Sequence, residues 1–255
     1  MDRKGIDPAI VAWYGKLLKG RKITADLQGE KCERVPARGS PQGGVLSPLV
    51  WNLIMDTLLD TFQGDPVKVV GYADDILLMA TGPDRGTLID IMNEALVRVL
   101  TWGAENGLTF NPLKTCAVLF TRKATRGTRH NRKLLMDGTE VSISDSTKYL
   151  GVTIHRNLNW NPHINSKVGK GIKIMNSANA AVGQKWGLNP NKILWVYSMM
   201  VRPVVGYGAI VWAGRLTKAQ RGKLKRVQRH ALTAISHCMR SPPLMAWRPL
   251  WVYPL

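Results

Sequence analysis

The sequence predicts an α+β fold, an antiparallel sheet backed by helices and followed by a wholly helical part. Three observations predict it. Short apolar runs bounded by turn residues recur up to Ile154, which is the pattern of strands. Runs with a helical period alternate with them. After Arg156 the strand signal stops and only helical patterns remain, which puts a boundary near Asn157 and divides the chain into 1–156 and 157–255.

Each element has a local reason. Asp7-Pro8 caps an amphipathic helix carrying Ile10, Val11, Trp13, Tyr14, Leu17 and Leu18 and ending at Gly20. Residues 23–27 and 32–35 flank Gln28-Gly29-Glu30 as a β-hairpin. After a Gly/Ser/Pro segment at 38–44, Ser47-Pro48 opens a second helix reaching Phe62. Residues 67–72 and 76–80 form two strands around Ala73-Asp74-Asp75. Asp84 caps a long helix that ends at Asn106-Gly107. Strands are expected at 108–110, 115–120, 134–136, 141–143 and 149–154, with a basic loop at 122–133. Helices follow at 163–182, 191–212 and 217–239, with Trp186, Trp195 and Trp212 as core residues. The Pro- and Trp-rich stretch 241–255 has no readable period.

Composition narrows the partners. The 255 residues suffice for a sizeable core, and 45% hydrophobic content is too high for a disordered chain. Lys+Arg 36 against Asp+Glu 17 gives +19, so a polyanion is the natural partner. Cys32, Cys116 and Cys238 are far apart, odd in number and in no C-x-x-C spacing, which argues against a disulfide framework or zinc site. No apolar stretch follows Met1-Asp2-Arg3-Lys4, so no secretory signal is expected. The longest apolar run, 204–213, is too short to span a bilayer, so no membrane partner is expected. The five histidines show no ligand spacing.

The sharpest chemical feature is Tyr72-Ala73-Asp74-Asp75 between two strands. Adjacent carboxylates repel, and a divalent cation offsets that charge. A solvated Asp-Asp hairpin turn would read the same way. Its neighbours change the reading. Upstream, Arg38-Gly39-Ser40-Pro41-Gln42-Gly43-Gly44 places a Gly-rich loop directly before a helix, where backbone can approach a nucleotide and a helix N-terminus attracts phosphate. Downstream, Asn111-Pro112-Leu113-Lys114-Thr115 offers a lysine at the mouth of a strand, and Lys148-Tyr149-Leu150-Gly151-Val152 reads as a short strand with a glycine in its middle.

In order and content these segments resemble motifs B, C, D and E of reverse transcriptases, specifically those of non-LTR, LINE-like retrotransposons. The resemblance covers about residues 5–154 well and continues more loosely to about 239. It implies a partial polymerase palm over 1–156 and an α-helical thumb over 157–255. It implies an RNA template, a DNA primer and dNTP as substrates, with magnesium or manganese held by Asp74 and Asp75. Gln42 and Gly43 would face template and nucleotide, and Tyr72 the primer-side pocket. Lys114 would assist pyrophosphate departure, and Tyr149 and Gly151 would belong to the primer grip. Nucleus or cytoplasm is the location implied.

The sequence departs from the family pattern at the first acidic box, an apolar strand ending in Asp, which has no counterpart; Asp2 has no strand before it. With one carboxylate fewer, magnesium keeps its waters, so little or no polymerase activity is expected of this chain alone. A non-catalytic nucleic-acid-binding remnant, or a pseudogene product, is the other reading. Finally, Lys218, Arg221, Lys225 and Arg229 form one basic stripe on the last helix, opposite Leu224, Val227, Ala231, Ala234, Ile235 and Cys238. The stripe contains no acid, which favours contact with a duplex backbone over a merely solvated face.

Overall fold

The computed structural model describes residues 4–121, 132–180 and 189–236. Expectations for Asp2, most of the 122–133 loop, Trp186, Cys238 and the 241–255 stretch lie outside them. The chain is α+β and falls into two compact units, Met1–Pro112 with Arg129–Glu140, and Leu113–Thr128 with Val141–Leu255.

In the first unit, α1 (Pro8–Leu18) starts where expected, with the Asp7 carboxylate accepting from the Ala9 N–H at 2.8 Å. A hairpin follows, β1 (Ile23–Leu27) and β2 (Glu30–Arg34), exposed along both strands. Then come α2 (Ser47–Asp60), the antiparallel pair β3 (Lys68–Tyr72) and β4 (Asp75–Met79), and α3 (Arg85–Glu105). Met55 and Leu58 of α2, Phe62, Val67, and Ala95, Val99 and Trp102 of α3 form the core, with Val69, Ile76 and Leu78 of the hairpin packed on it. The hairpin alternates as a half-covered sheet should: Val69 turns to the core while Val70 and Tyr72 are exposed. Burying Leu58 completely is worth about 1.5–3 kcal/mol. Arg98 closes the edge, bonding Asp65 at 2.5 Å and lying 4.3 Å from the Phe62 ring centroid. Two short strands, β5 (Leu135–Met136) and β6 (Thr139–Glu140), complete this unit, tied to α3 through Asn93.

The second unit holds β7 (Ser146–Tyr149), β8 (Val152–His155) and the helices α4 (Asn161–Ala180), α5 (Pro190–Val196), α6 (Arg202–Gly206), α7 (Ala209–Trp212) and α8 (Lys218–Ser236). Val152, Trp160, Ile164, Val168, Met175, Ile193, Tyr197, Val201, Val205, Trp212, Val227 and Ala231 form its core. Because Val152 belongs to that cluster and Ile154 packs on it, the β7–β8 hairpin joins the helices, and the expected division at 157 falls inside this unit. A capping box starts α8: Gln220 Oε1 accepts from the Thr217 N–H at 2.9 Å while Thr217 Oγ1 accepts from the Gln220 N–H at 3.3 Å.

Several expected elements differ. Residues 108–110 and 115–120 form no strand; Leu108 and Phe110 instead pack as loop residues on the first core. Residues 141–143 make only an isolated parallel bridge, Ala117 to Ile143. Instead of one strand at 149–154 there is a hairpin whose turn, Leu150-Gly151, has φ of 44° and 78°, the double left-handed geometry that matches strand twist. The single helix expected at 191–212 is broken. A π-helical turn at Tyr197–Val201 precedes Arg202-Pro203, where proline removes a backbone donor, and Gly208 at φ 69° interrupts the chain again. Trp195 is 60% exposed, because Ile193 and Tyr197 occupy the inward face of that segment; Trp212 is buried as expected. Among the described residues no single helix is long and apolar enough to cross a membrane; Pro190–Gly206 with Ala209–Arg215 passes that test only as a pair bent by 49°.

Candidate active site

The acidic pair sits at the tip of the β3–β4 hairpin. Tyr72 pairs with Asp75, so Ala73 and Asp74 alone make the turn. Ala73 has φ of 52°, a left-handed conformation that costs an L-residue about 1–2 kcal/mol. Opposing that strain, the Trp51 indole donates from Nε1 to the Ala73 carbonyl at 2.6 Å. Trp51 itself packs against the first core, so α2 fixes the height of the turn. Asp74 and Asp75 are both exposed, and among the described residues no arginine or lysine forms an ion pair with either.

The Gly-rich loop is anchored to the same helix. The Pro41 carbonyl accepts from the Gly44 N–H at 3.1 Å and from Ser47 Oγ at 2.7 Å, and the Ser47 N–H bonds the Gly44 carbonyl at 3.1 Å. A Cβ on Gly44 would stand 2.7 Å from Ser47 Oγ and 3.2 Å from the Pro41 carbonyl oxygen, so a larger residue would disturb the Ser47–Pro41 hydrogen bond. Gln42 and Gly43 are exposed. Arg21 secures the loop from behind, donating to the Gly39 carbonyl at 2.6 Å and to the Leu18 carbonyl at 3.1 Å.

Between α2 and the hairpin lies a groove of about 440 Å³, lined by Leu49, Asn52, Leu53, Met55, Asp56 and Leu59 on one side and Gly71 and Ala73 on the other. Asp56 is an acid on this groove that sequence reading passed over. Its charge is taken up by Lys4, whose amine is raised above its ordinary range by Asp56 first and then Asp60. Trp51 was also missed, since nothing local marks a hydrogen bond across twenty-two positions.

Among the described residues no group of three His, Cys, Asp or Glu side chains is placed to hold a metal. The two hard oxygen donors of Asp74 and Asp75 still suit magnesium, which is bound through one or two carboxylates plus substrate phosphates.

The remaining expected residues belong to the second unit. Lys114 is exposed in a turn at 112–114 and stands at no strand mouth. Tyr149 ends β7 and is half-buried, and Gly151 is in the hairpin turn. Lys218, Arg221, Lys225 and Arg229 are all exposed on α8, while Val227 and Ala231 face the core, as the stripe pattern predicts.

The first unit thus presents an exposed acid pair at a hairpin tip and a Gly-rich turn that opens α2. The reverse transcriptase (RNA-dependent DNA polymerase) family matches residues 4–154, more than half of the chain. The chain belongs to that family. Its relatives include proteins of type-1 retrotransposable elements and of a transposon. It is 28% identical over 221 residues to a retrovirus-related Pol polyprotein from type-1 retrotransposable element R1 of Nasonia vitripennis, covering 83% of this chain and 65% of the relative. It is 28% identical over 199 residues to a putative 115 kDa protein in type-1 retrotransposable element R1DM of Drosophila melanogaster, covering 78% and 19%. It is 27% identical over 235 residues to a probable RNA-directed DNA polymerase from transposon BS of Drosophila melanogaster, covering 89% and 26%. The chain thus spans less than two thirds of the length of each of these relatives.

Proposed function

We propose that this chain supplies the palm and thumb of an enzyme that copies RNA into DNA, with Asp74 and Asp75 as its metal ligands. The carrying observation is the carboxylate pair, exposed and without an ion-pair partner among the described residues, on a turn that α2 holds in place. Magnesium, when bound, activates the primer 3′-hydroxyl and offsets the charge of the departing pyrophosphate. Gln42 and Gly43, on the turn that opens α2, face template and incoming nucleotide. Tyr72, 61% exposed beside the acids, shapes the primer-side pocket. Lys114 is the candidate proton donor to pyrophosphate, Tyr149 and Gly151 belong to the primer grip, and the α8 stripe meets the duplex backbone. Two carboxylates fill only part of a two-metal shell, so primer extension by this chain alone is expected to be weak or absent.

Manganese binding followed by electron paramagnetic resonance tests the metal assignment without requiring turnover. The wild-type chain should bind Mn²⁺, and the Asp74→Ala, Asp75→Ala variant should lose most of that binding. Equal binding by both would overturn the assignment. Strong magnesium-dependent extension by the wild type, abolished in the variant, would overturn only the expected inactivity.

A further inference from the structure

The segment from α5 to α6 is apolar on both of its faces. Ile193, Tyr197, Val201 and Val205, four residues apart, are buried in the core of the second unit. Trp195 and Met199, midway between them in the sequence and so on the opposite face, stand exposed together with Met200. No charged residue occurs between Lys192 and Arg202. A surface helix ordinarily turns charged and polar groups outward, and a helix apolar all round is one that something covers.

What covers it is constrained by where α8 ends. α4 and α8 run parallel: Asn161 accepts from Gln220 at 3.1 Å, Asn165 accepts from Lys223 at 2.8 Å, and Asn176 Oδ1 lies 2.7 Å from His230 Nε2. The α5–α6 segment runs the other way. Gly171 of α4 faces Val201, Val205 and Val227, while Tyr207 lies against Lys167, a turn earlier on α4. Ile193 therefore packs toward the last turns of α8, where Ala234 and Ile235 adjoin the same core. The chain thus leaves α8 at Ser236 beside α5. Residues 237–240 reach at most about 14 Å when extended, against about 10 Å for the length of α5. Beyond them, residues 241–255 carry Leu244, Met245, Trp247, Leu250, Trp251 and Tyr253 with a single charge, Arg248. Proline narrows the conformations a chain gives up on docking, and Pro242, Pro243, Pro249 and Pro254 supply it here. Thioether groups adapt to aromatic rings, which suits Met199 and Met200 to tryptophan.

We propose that residues 241–255 dock along the outward face of the α5–α6 segment, with Trp247 and Trp251 as anchors against Trp195, Met199 and Met200. The short tether makes the encounter intramolecular, which favours this segment over free partners of similar chemistry. The inference is independent of the reading of Asp74 and Asp75.

The test follows hydrogen peroxide oxidation of the methionines in the full chain by mass spectrometry. A segment docked about four-fifths of the time leaves Met199 and Met200 open for the remaining fifth, so Trp247→Ser, Trp251→Ser should quicken oxidation at both about fivefold. Met79, exposed in the first unit, should not change. Equal rates at Met199 and Met200 in the wild type and the variant overturn the proposal. So does protection that fades on dilution, which a second copy would give, or that appears only with phosphatidylcholine–phosphatidylserine vesicles. Met175 is fully buried and reports unfolding. If it quickens too, the reciprocal full-length variant Trp195→Gln decides. Chymotrypsin should then cut after Trp247 about fivefold faster than in the wild type, and an unchanged rate overturns the docking.

Discussion

Replacing Trp51 with Phe isolates the contact that holds the acidic turn. The ring keeps its packing on the first core, while the donor to the Ala73 carbonyl disappears. A hydrogen bond of this kind contributes about 0.5–1.5 kcal/mol net. The left-handed Ala73 it supports is disfavoured by about 1–2 kcal/mol. The two are comparable, so losing the bond leaves the turn close to balance between its native geometry and relaxed alternatives. One kcal/mol is roughly a fivefold change in population. We therefore expect Trp51→Phe to speed hydrogen exchange at Asp75 about fivefold and to weaken Mn²⁺ binding by a similar factor. Ala73→Gly removes the strain that the bond opposes, so in that background the effect of Trp51→Phe should fall to less than half. Exchange and Mn²⁺ affinity unchanged by Trp51→Phe, or an identical loss in both backgrounds, would refute the idea that α2 restrains the turn.

Other perturbations follow from the packing. Gly171 of α4 is enclosed: an added Cβ would stand 2.9 Å from Val205 and 3.1 Å from Val227. Overpacking of about 1–3 kcal/mol outweighs the roughly 1 kcal/mol of helix propensity gained, so Gly171→Ala should lower the urea midpoint. Gly222→Ala on exposed α8, with open space around it, should raise stability by about 0.8–1 kcal/mol, and shifts of the same sign in both variants would contradict this account. At Gly151, the φ of 78° alone makes Ala cost about 1–2 kcal/mol, and the Tyr207 ring stands in the way, so Gly151→Ala should measurably lower the urea midpoint. His163 is buried, and its Nδ1 accepts from the Thr153 N–H at 3.1 Å, which requires a neutral ring. Burial, then Lys167, lowers its pKa from 6.5 against a small opposing effect of the Tyr207 carbonyl. Its contribution to stability is therefore complete above pH 6.5 and lost as pH falls from there toward the depressed folded value. The urea midpoint should drop between pH 7.5 and 5.5, and less so in His163→Gln; an equal drop in both would exclude His163 as the cause.

Local chemistry made part of this fold legible. Asp7-Pro8, Ser47-Pro48 and Asp84 each begin a helix within a residue or two of the expected place, because an Asp cap or a proline in the first turn acts only on neighbouring residues. The acid-bearing hairpin was equally readable, since two apolar strands met at a short acidic turn. The Pro203 and Gly208 breaks carried a visible signal that helical periodicity overrode. The β7–β8 turn gave almost none. Leucine is a poor residue for a left-handed position, and Leu150-Gly151 lacks the Asn or Asp that usually announces such a turn. Leu108 and Phe110 looked like a strand because a strand is apolar, yet a strand also needs a partner, and the core had room for them as loop side chains.

The features that matter most for the proposed chemistry are the least local. The Asp74-Asp75 pair can be read from four consecutive letters, but its height and rigidity come from Trp51, a residue of the preceding helix. The β7–β8 turn, in the same way, is held by the Tyr207 hydroxyl, which donates to the Leu150 carbonyl from the segment between α6 and α7. In both places the sequence carries the reacting or binding group and the tertiary fold carries its restraint. Disabling the restraint and disabling the group should therefore give different results. On the proposed assignment, loss of Asp74 and Asp75 should remove most of the Mn²⁺ binding, whereas loss of the Trp51 donor should scale it by a factor set by one hydrogen bond.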